Sequence, residues 1–231
     1  MQNRRALIRL GGEFPPAEWF HSLYQSGDLL IAADRGALLC EVARLPLDVL
    51  VGDFDSLPDT AEFSCAQPKE IKRFPAGKDF SDGELALICA KERNCHKAVF
   101  ISALGGRLDH GLFNVIALLE KADQLSITAE IRSPQTAVFQ LAAGQERPLG
   151  FPNGSWCSVI SLEKYSAVTM NGLLYSGSGI TLERSSTRGL SNRIADYGQA
   201  RISVSSGRVL VVKSAESAEQ SEPLEEAAVP Q

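Results

Sequence analysis

The feature that most constrains the fold is the alternation of short apolar runs with helical patterns over the first 142 residues. The predicted strands cover residues 5–10, 29–33, 48–51, 70–74, 97–103, 127–132 and 137–141. A helix predicted at 109–122 has Leu112, Val115, Ile116 and Leu119 on its apolar side. Strands that alternate with helices indicate crossover connections, which join parallel strands. The sequence therefore predicts an α/β N-terminal domain, residues 1–144, with a mostly parallel sheet.

The pattern changes after Gly144. Short strands predicted near residues 156–162, 167–170, 179–183, 200–204 and 208–212 are separated by turns such as Asn171-Gly172. No helical period appears there, which predicts a small antiparallel β-sandwich domain over residues 145–213. Residues 214–231 hold five glutamates and no lysine or arginine, so we expect a disordered acidic tail.

Charge and composition exclude several classes of protein. The net charge of −5 equals the charge of the five tail glutamates, so the rest of the chain is neutral. A neutral body lacks the broad basic surface of a nucleic-acid-binding protein. No apolar run is long enough to cross a bilayer and no signal peptide is evident, which predicts a cytoplasmic protein without a membrane partner. Five cysteines without a C-x-x-C pair argue against disulfides and a zinc site.

Two aspartates, Asp53 and Asp55, flank Phe54 directly after an apolar strand and Gly52. In an extended segment, side chains at i and i+2 point to the same side, so both carboxylates would face one spot while Phe54 points into apolar material. Two like charges that close are unfavourable unless a cation lies between them. A helix cap explains a single aspartate at such a position, but the pair favours a divalent metal.

Polar residues follow the other predicted strands in the same way: Gly11 and Gly12, Asp34, Asp79 and Asp82, Arg107 and Asp109. The carboxyl ends of parallel strands meet at one edge of a sheet, where ligands bind. Any single aspartate of this group could cap a helix. Together they predict Mg²⁺ with phosphate oxygens, and the glycine turns and helix starts would add backbone N–H donors.

Known nucleotide and acyl-transfer motifs are absent from the sequence. The Gly77-Lys78 pair lacks the earlier glycine and the following serine or threonine of a P-loop, and no G-x-G-x-x-G run follows the first strand. Lys78, Arg107 and Arg35 are the cations near the aspartates. With three histidines and no G-x-S-x-G elbow, acyl transfer is disfavoured.

An ordered set of motifs resembles the thiamin pyrophosphokinase family. The motifs are ADRGA at 33–37, GDFDS at 52–56, KDFSD at 78–82, GGRLDH at 105–110, GLLY at 172–175 and SN at 191–192. The resemblance spans roughly residues 7–212. It implies an α/β catalytic domain, a C-terminal β-sandwich, a homodimer with the active site at its interface, and transfer of pyrophosphate from ATP to thiamine with release of AMP.

The resemblance also implies roles for single residues. The Mg²⁺ and phosphate group is Asp53, Asp55, Asp79 and Asp82, the last three being the catalytic residues. Asp34 belongs to the ATP pocket. Gly12, Arg35, Lys78 and Arg107 are assigned to the same pocket because of their position in the sequence and their charge. The thiamine site takes Asp109, with Ser191 and Asn192 from the partner subunit. Tyr175 stands at an aromatic position, either stacked on thiamine or simply half-buried. Two residues depart from the family pattern: Arg35, where glycine is usual, and Ser81, where threonine is usual.

Three other functions remain open at this stage. The first is a pyrophosphokinase for another hydroxymethyl heterocycle, such as a pterin. The second is a Mg²⁺-dependent phosphohydrolase with Asp53 as nucleophile, and the third is a nucleotide-binding regulator without chemistry. The nucleotide product distinguishes them, because only pyrophosphate transfer to thiamine forms AMP in a thiamine-dependent way.

Overall fold

The computed structural model describes residues 4–54, 66–75, 77 and 79–215. Asp55, Lys78 and the predicted acidic tail beyond residue 215 therefore lie outside the described residues. The chain divides into two compact units, Met1–Gln140 and Leu141–Gln231. Each unit is considered separately below.

Strands and helices alternate in the N-terminal unit. The strands are β1 (Arg4–Arg9), β2 (Leu29–Ala33), β3 (Leu47–Gly52), β4 (Pro68–Arg73), β5 (Cys95–Ile101), β6 (Thr128–Arg132) and β7 (Thr136–Ala142). The helices are α1 (Ala17–Leu23), α2 (Ala37–Val42), α3 (Asp82–Glu92), α4 (Leu108–Phe113) and α5 (Leu119–Gln124). A 3₁₀ turn at Asp34–Gly36 precedes α2, and a π-helical segment, Asn114–Leu118, joins α4 to α5.

The sheet of this unit confirms the predicted α/β architecture. Its strand order is β7-β6-β5-β1-β2-β3-β4. All neighbouring pairs from β6 to β4 are parallel, and only the β6–β7 pair is antiparallel. The chain returns from β4 to β5, which lies beside β1. This reversal opens a crevice at the carboxyl ends of β1 and β5, where open α/β sheets bind ligands.

Apolar packing of helices against the sheet holds the strands that form this crevice. Every residue of β2 is buried, as expected for a parallel strand covered on both faces. The helices α1 and α2 pack on one face through a core cluster that includes Phe20 and Leu39. Phe54 packs partly against the same cluster, in agreement with its predicted apolar contact.

Helix α3 begins with a capping box, which the sequence also predicts because Glu84 follows Ser81 by three residues. The Ser81 hydroxyl accepts the Glu84 N–H at 3.3 Å, and the Glu84 carboxylate accepts the Ser81 N–H at 3.0 Å. Both N–H groups would otherwise be unsatisfied at a helix start. The box fixes Asp82 as the first residue of α3, at the carboxyl edge of the sheet.

The helical segment after the GGRLDH motif differs from the predicted single amphipathic helix. Leu112 and Ile116 are each 52 % exposed, whereas Leu118 and Leu119 are buried. The π-helical segment changes the residue period in mid-helix, so the side chains before and after it face different directions. An exposed apolar stripe results, consisting of Leu108, Leu112, Phe113 and Ile116.

The C-terminal unit contains the predicted antiparallel strands. They are β8 (Glu146–Pro148), β9 (Trp156–Ser161), β10 (Tyr165–Asn171), β11 (Gly177–Glu183), β12 (Asn192–Arg193), β13 (Arg201–Ser206) and β14 (Arg208–Ser214). Four form a separate antiparallel sheet in the order β11-β10-β13-β8, and β9 pairs antiparallel with both β12 and β14. The sequence did not indicate β8 and β12, because strands of two or three residues show no period.

The structure also describes four of the cysteines and the lengths of the helices. Cys40, Cys89, Cys95 and Cys157 are buried free thiols. Within the part of the chain that the structure describes, no helix combines the length and apolar character needed to span a membrane.

Candidate active site

A cavity of about 770 Å³ lies at the carboxyl edge of the N-terminal sheet. Its walls come from the segments that follow β1, β2 and β5 and from the start of α3. The lining residues are 10–13, 33–35, 81–83, 102, 103, 105–107, His110 and Asn114. The structure thus brings together five of the sequence-predicted residues: Gly12, Asp34, Arg35, Asp82 and Arg107.

Asp34 and Asp82 form the electrostatic centre of this cavity. Their carboxyl groups are hydrogen-bonded to each other. Burial, together with this hydrogen bond and the negative charges of Asp82 and Asp53, raises the pKa of Asp34 to about 7. A bound cation would relieve the repulsion between these carboxyl groups.

The local backbone dictates where the Asp34 carboxylate lies. Asp34 has a φ of +46° and Phe54 a φ of +69°, and the Phe54 N–H donates to Asp34 Oδ1 at 3.2 Å. A Cβ atom on Gly52, whose φ is +143°, would overlap this carboxylate. Only glycine fits there. Because Phe54 is left-handed, the extended geometry expected for the Asp53-Phe54-Asp55 run is wrong at its centre.

Gly12 shapes the cavity in a different way from that expected of a phosphate-binding turn. Its N–H donates to the carbonyl oxygen of Ser102 at 2.9 Å, and a Cβ on Gly12 would overlap that oxygen. The N–H is therefore used within the protein. Because Gly12 has no side chain, the turn that follows β1 can pack closely against the turn that follows β5.

Arg35 and Arg107 bring positive charge to the cavity wall. The Arg35 guanidinium lies 5.3 Å from the ring centroid of Phe14, a cation–π contact that restrains it. Arg107 pairs with Asp109, with 2.6 Å between Nη2 and Oδ2, and both side chains are more than half exposed. The hydrogen bond from Arg107 lowers the pKa of Asp109 to about 2. Exposed pairs contribute little stability, so either partner is available to a ligand.

Several predicted residues do not join this cavity. Asp79 is exposed and does not line it, and Asp53 acts there through its charge on Asp34. Asp55 and Lys78 lie outside the described residues. Among the residues that the structure describes, no group of three or more histidine, cysteine or carboxylate side chains is arranged to hold a metal ion. Mg²⁺ binding stays a prediction.

The predicted thiamine-site residues of the C-terminal unit lie together in one turn region. Tyr175 is 69 % exposed, which excludes the half-buried alternative. Its backbone is hydrogen-bonded to the side chain of Asn192, which is 6 % exposed. Ser191, with a φ of +57°, donates its N–H to Ser158 Oγ at 3.1 Å.

Sequence reasoning missed two polar residues at the N-terminal cavity, Glu13 and Ser102, and assigned no role to a third, Asn114, which follows the GGRLDH motif. Asn114 opens the π-helical segment and donates Nδ2–H to the Ala103 carbonyl at 2.8 Å. Ser102 is buried with a φ of +57°, and its hydroxyl has no hydrogen-bond partner among the described residues. Glu13 and Ser102 also line a neighbouring cavity of about 460 Å³. Glu13 and Ser102 follow β1 and β5 closely in the sequence, and this position could have indicated that they line the cavity.

Comparisons with known proteins identify similar chains. The family description "Thiamin pyrophosphokinase, catalytic domain" matches residues 20–129, and "Thiamin pyrophosphokinase, vitamin B1 binding domain" matches residues 145–209. The thiamine pyrophosphokinase of Bacillus subtilis is 26% identical over 190 residues, which are 80% of this chain and 87% of that protein.

Solved structures with these names have the same fold. The thiamin pyrophosphokinase of Geobacillus thermodenitrificans is 27% identical with a TM-score of 0.78, covering 93% of this chain and 99% of that one. The Bacillus subtilis structure superposes with a TM-score of 0.79 at 22% identity, covering 93% and 100%.

Proposed function

The chain belongs to the thiamin pyrophosphokinase family, whose members use ATP, and we propose that its sheet-edge cavity is where ATP donates pyrophosphate to thiamine. The observation that carries this assignment is the Asp34–Asp82 carboxyl pair, which lies in one cavity with Arg35 and Arg107. Carboxylates for a cation and guanidinium groups for phosphates are the two elements that a nucleotide–metal complex needs.

The carboxylates are proposed to hold Mg²⁺. The set is Asp53, Asp55, Asp79 and Asp82, with Asp34 in the ATP pocket beside Gly12, Arg35, Lys78 and Arg107. Support comes from Asp34 and Asp82, which are close enough to hydrogen-bond, and burial together with their mutual repulsion raises the pKa of Asp34. A cation would relieve this unfavourable interaction. Mg²⁺ bound there would neutralise charge on the transferred phosphates. Asp55, Asp79 and Asp82 are the proposed catalytic residues.

The reaction is a substitution at phosphorus. The thiamine hydroxyl oxygen forms a bond to the β-phosphorus of ATP, the bond from that phosphorus to the oxygen bridging to the α-phosphate breaks, and AMP leaves. Asp82 is the proposed acceptor of the hydroxyl proton. Asp109 is the other candidate, but Arg107 holds its pKa near 2, which makes it a poor proton acceptor. The protein mainly positions the reactants and stabilises charge, as in phosphoryl transfer generally.

Thiamine is proposed to bind at a site formed by Asp109 of one subunit and by the Ser191, Asn192 and Tyr175 region of its partner in a homodimer. In this arrangement residues 1–144 form the catalytic domain and residues 145–213 the thiamine-binding and dimerisation domain. The cytoplasmic location stays a prediction from the sequence.

Exposed apolar side chains support the dimer. The N-terminal unit carries the stripe of Leu108, Leu112, Phe113 and Ile116, and the C-terminal unit exposes Leu174, Tyr175, Leu190 and Tyr197. Contiguous exposed apolar surface is typical of protein interfaces. Leu108 adjoins Asp109, and Leu190 and Leu174 adjoin the predicted thiamine residues, which associates these side chains with the substrate site.

A product assay tests the function. The protein is incubated with ATP, Mg²⁺ and thiamine, and nucleotides and thiamine esters are separated by chromatography. We expect AMP and thiamine diphosphate in equal amounts, and neither product without thiamine. ADP with thiamine monophosphate would indicate a simple kinase, phosphate release without thiamine a hydrolase, and no turnover a regulator or a different acceptor; each would refute the proposal.

A further inference from the structure

The turn that carries Tyr175 is held by a buried amide side chain. Asn192 Oδ1 accepts the Tyr175 N–H at 3.0 Å, and Asn192 Nδ2–H donates to the Tyr175 carbonyl at 2.9 Å. The same Oδ1 accepts the Arg193 N–H at 2.9 Å, and Nδ2 lies 3.7 Å from Met170 Sδ. An asparagine side chain has two donor hydrogens and one acceptor oxygen, so these four contacts use it fully.

Burial and exposure divide the roles of the two residues. Asn192 is 6 % exposed, whereas Tyr175 is 69 % exposed. A ligand that approaches this surface meets the Tyr175 ring before it meets the amide. If the Asn192 side chain turned towards a ligand, these buried hydrogen bonds would break, and the folded protein would lose the free energy that they contribute.

We propose that Asn192 is a positioning residue: it presents the ring of Tyr175 to the aromatic, cationic acceptor and does not itself bind that acceptor. This inference rests on the proposed function, since it assumes that thiamine binds beside Tyr175. The electron-rich face of a tyrosine attracts cations and stacks on heteroaromatic rings. A ring on an unrestrained turn would lose part of this affinity to the entropy of ordering.

A second side chain closes the same turn from its other end. Ser176 Oγ–H donates to the Leu173 carbonyl at 2.6 Å and accepts the Leu173 N–H at 3.1 Å. The Leu174 N–H donates to the Arg193 carbonyl at 2.8 Å, which ties the turn to β12. The backbone of Tyr175 is therefore held by Asn192 on one side and by the turn that Ser176 closes on the other, while its side chain remains exposed.

A double-mutant cycle tests the inference in the full-length enzyme. The variants Asn192→Ala, Tyr175→Ala and the double variant are assayed for kcat and for the KM of thiamine and of ATP, at a temperature where circular dichroism shows each to be folded. We expect each single variant to raise the KM of thiamine about tenfold, the size of one cation–π contact. The KM of ATP should be unchanged, and the double variant should be no worse than Tyr175→Ala.

Independent effects of the two substitutions would overturn the proposal. If the double variant raises the KM of thiamine by the product of the single effects, Asn192 contacts thiamine directly. An unchanged KM in Tyr175→Ala would equally refute it. Should Asn192→Ala not fold, Ser176→Ala replaces it in the cycle, with the same expected coupling and a smaller single effect.

The chain offers a matched control in the same unit. Asn153 Oδ1 accepts the Tyr197 N–H at 2.7 Å, and Tyr197 is 58 % exposed. Asn153→Ala therefore removes a bond from an asparagine side chain to the backbone of another exposed tyrosine, although Asn153 is itself exposed. We expect it to leave the KM of thiamine unchanged. A tenfold rise in this control would show that general loosening explains the Asn192 effect. Wild-type protein that forms no thiamine diphosphate would refute the proposed function itself, a different outcome from additive variants in an active enzyme.

Discussion

The carboxylate edge of the N-terminal unit and the Tyr175 turn of the C-terminal unit use their polar side chains in opposite ways. At the carboxylate edge, Asp34 and Asp82 share a hydrogen bond under like-charge repulsion, and Asp34, Phe54 and Ser102 have left-handed backbone conformations. At the Tyr175 turn, Asn192 is fully hydrogen-bonded. The first region is poised to take up charge, and the second is a satisfied support for an exposed ring.

This difference indicates a division of labour. Unfavourable electrostatics in the free protein can be relieved by a ligand of opposite charge, which is typical of sites that bind metal ions and phosphates. A satisfied polar network instead rigidifies the segment that it holds. We therefore expect the N-terminal edge to contribute chemistry and the C-terminal turn to contribute acceptor affinity. The following predictions test that contrast, from the largest effect to the smallest.

Asp82→Asn should have the largest effect. We expect kcat to fall by about 10²–10³, the usual loss on removing one electrostatic contact to a transition state, because the variant removes a carboxylate from the shared pair. The capping box of Ser81 and Glu84 is retained, so the circular dichroism spectrum should be unchanged. Steady-state assays at saturating ATP, Mg²⁺ and thiamine measure the effect. Glu120→Gln, an exposed carboxylate on α5, is the control, and a kcat within twofold of wild type for Asp82→Asn would remove Asp82 from the mechanism.

Ile116→Asp tests the proposed homodimer, because it should separate the proposed subunits. Ile116 lies in the exposed apolar stripe, and a buried unpaired charge at an interface is strongly unfavourable. We expect sedimentation velocity to show a monomer, and kcat/KM for thiamine to fall at least about tenfold, since Tyr175 would no longer reach the partner's cavity.

Val42→Asp is the control for Ile116→Asp, because Val42 is 67 % exposed on α2, outside the stripe. It should remain dimeric and active. A fully active monomer of Ile116→Asp would contradict the shared active site, and a dimeric Ile116→Asp would place the interface elsewhere.

Asp34→Asn should abolish activity and should raise the free energy of unfolding at high pH. The folded pKa of Asp34, about 7, lies above the usual value of 3.8, so between these pH values the folded state binds a proton that the unfolded state has lost. The ionisable Asp34 therefore makes the wild type lose stability as pH rises from about 4 to 7. Asparagine does not ionise and tolerates the left-handed backbone.

Thermal unfolding in EDTA measures this effect. We expect the Tm of Asp34→Asn to exceed that of wild type at pH 8 and to match it at pH 4, while turnover is lost. An equal Tm at both pH values would show that Asp34 ionises normally in the folded protein.

Ser102→Gly should have the smallest effect. Glycine relieves the left-handed φ of +57° and removes a buried hydroxyl without a partner among the described residues, so we expect a gain of about 1 kcal/mol in the free energy of unfolding. Urea denaturation measures it. Ser126→Gly, at a similar φ of +56° but exposed outside both cavities, should gain less because its hydroxyl is solvated. A loss of stability in Ser102→Gly would mean that the hydroxyl is satisfied.

Much of the fold followed from sequence patterns that depend on local interactions. The alternation of strands and helices, the Ser81 capping box and the antiparallel texture after Gly144 were all correct. The apolar side of the 109–122 helix was only partly buried, because the π-helical segment arises from packing that no periodicity reports. The strands β8 and β12 were missed for a similar reason, since long-range pairing defines them.

At the site, the sequence determined which residue types stand at the strand ends, because parallel strands carry their following residues to one edge. That was sufficient to predict a common location for Gly12, Asp34, Asp82 and Arg107, whereas Asp79 and Asp109, predicted at the same edge, do not line the cavity. Only the tertiary structure decided how these groups are used. The Gly12 N–H is consumed by Ser102, Asp109 pairs with Arg107, and Asn192 lies beneath Tyr175. Each of these facts depends on the distance between segments remote in sequence or on the burial of one side chain, and both are set only when the whole chain has packed.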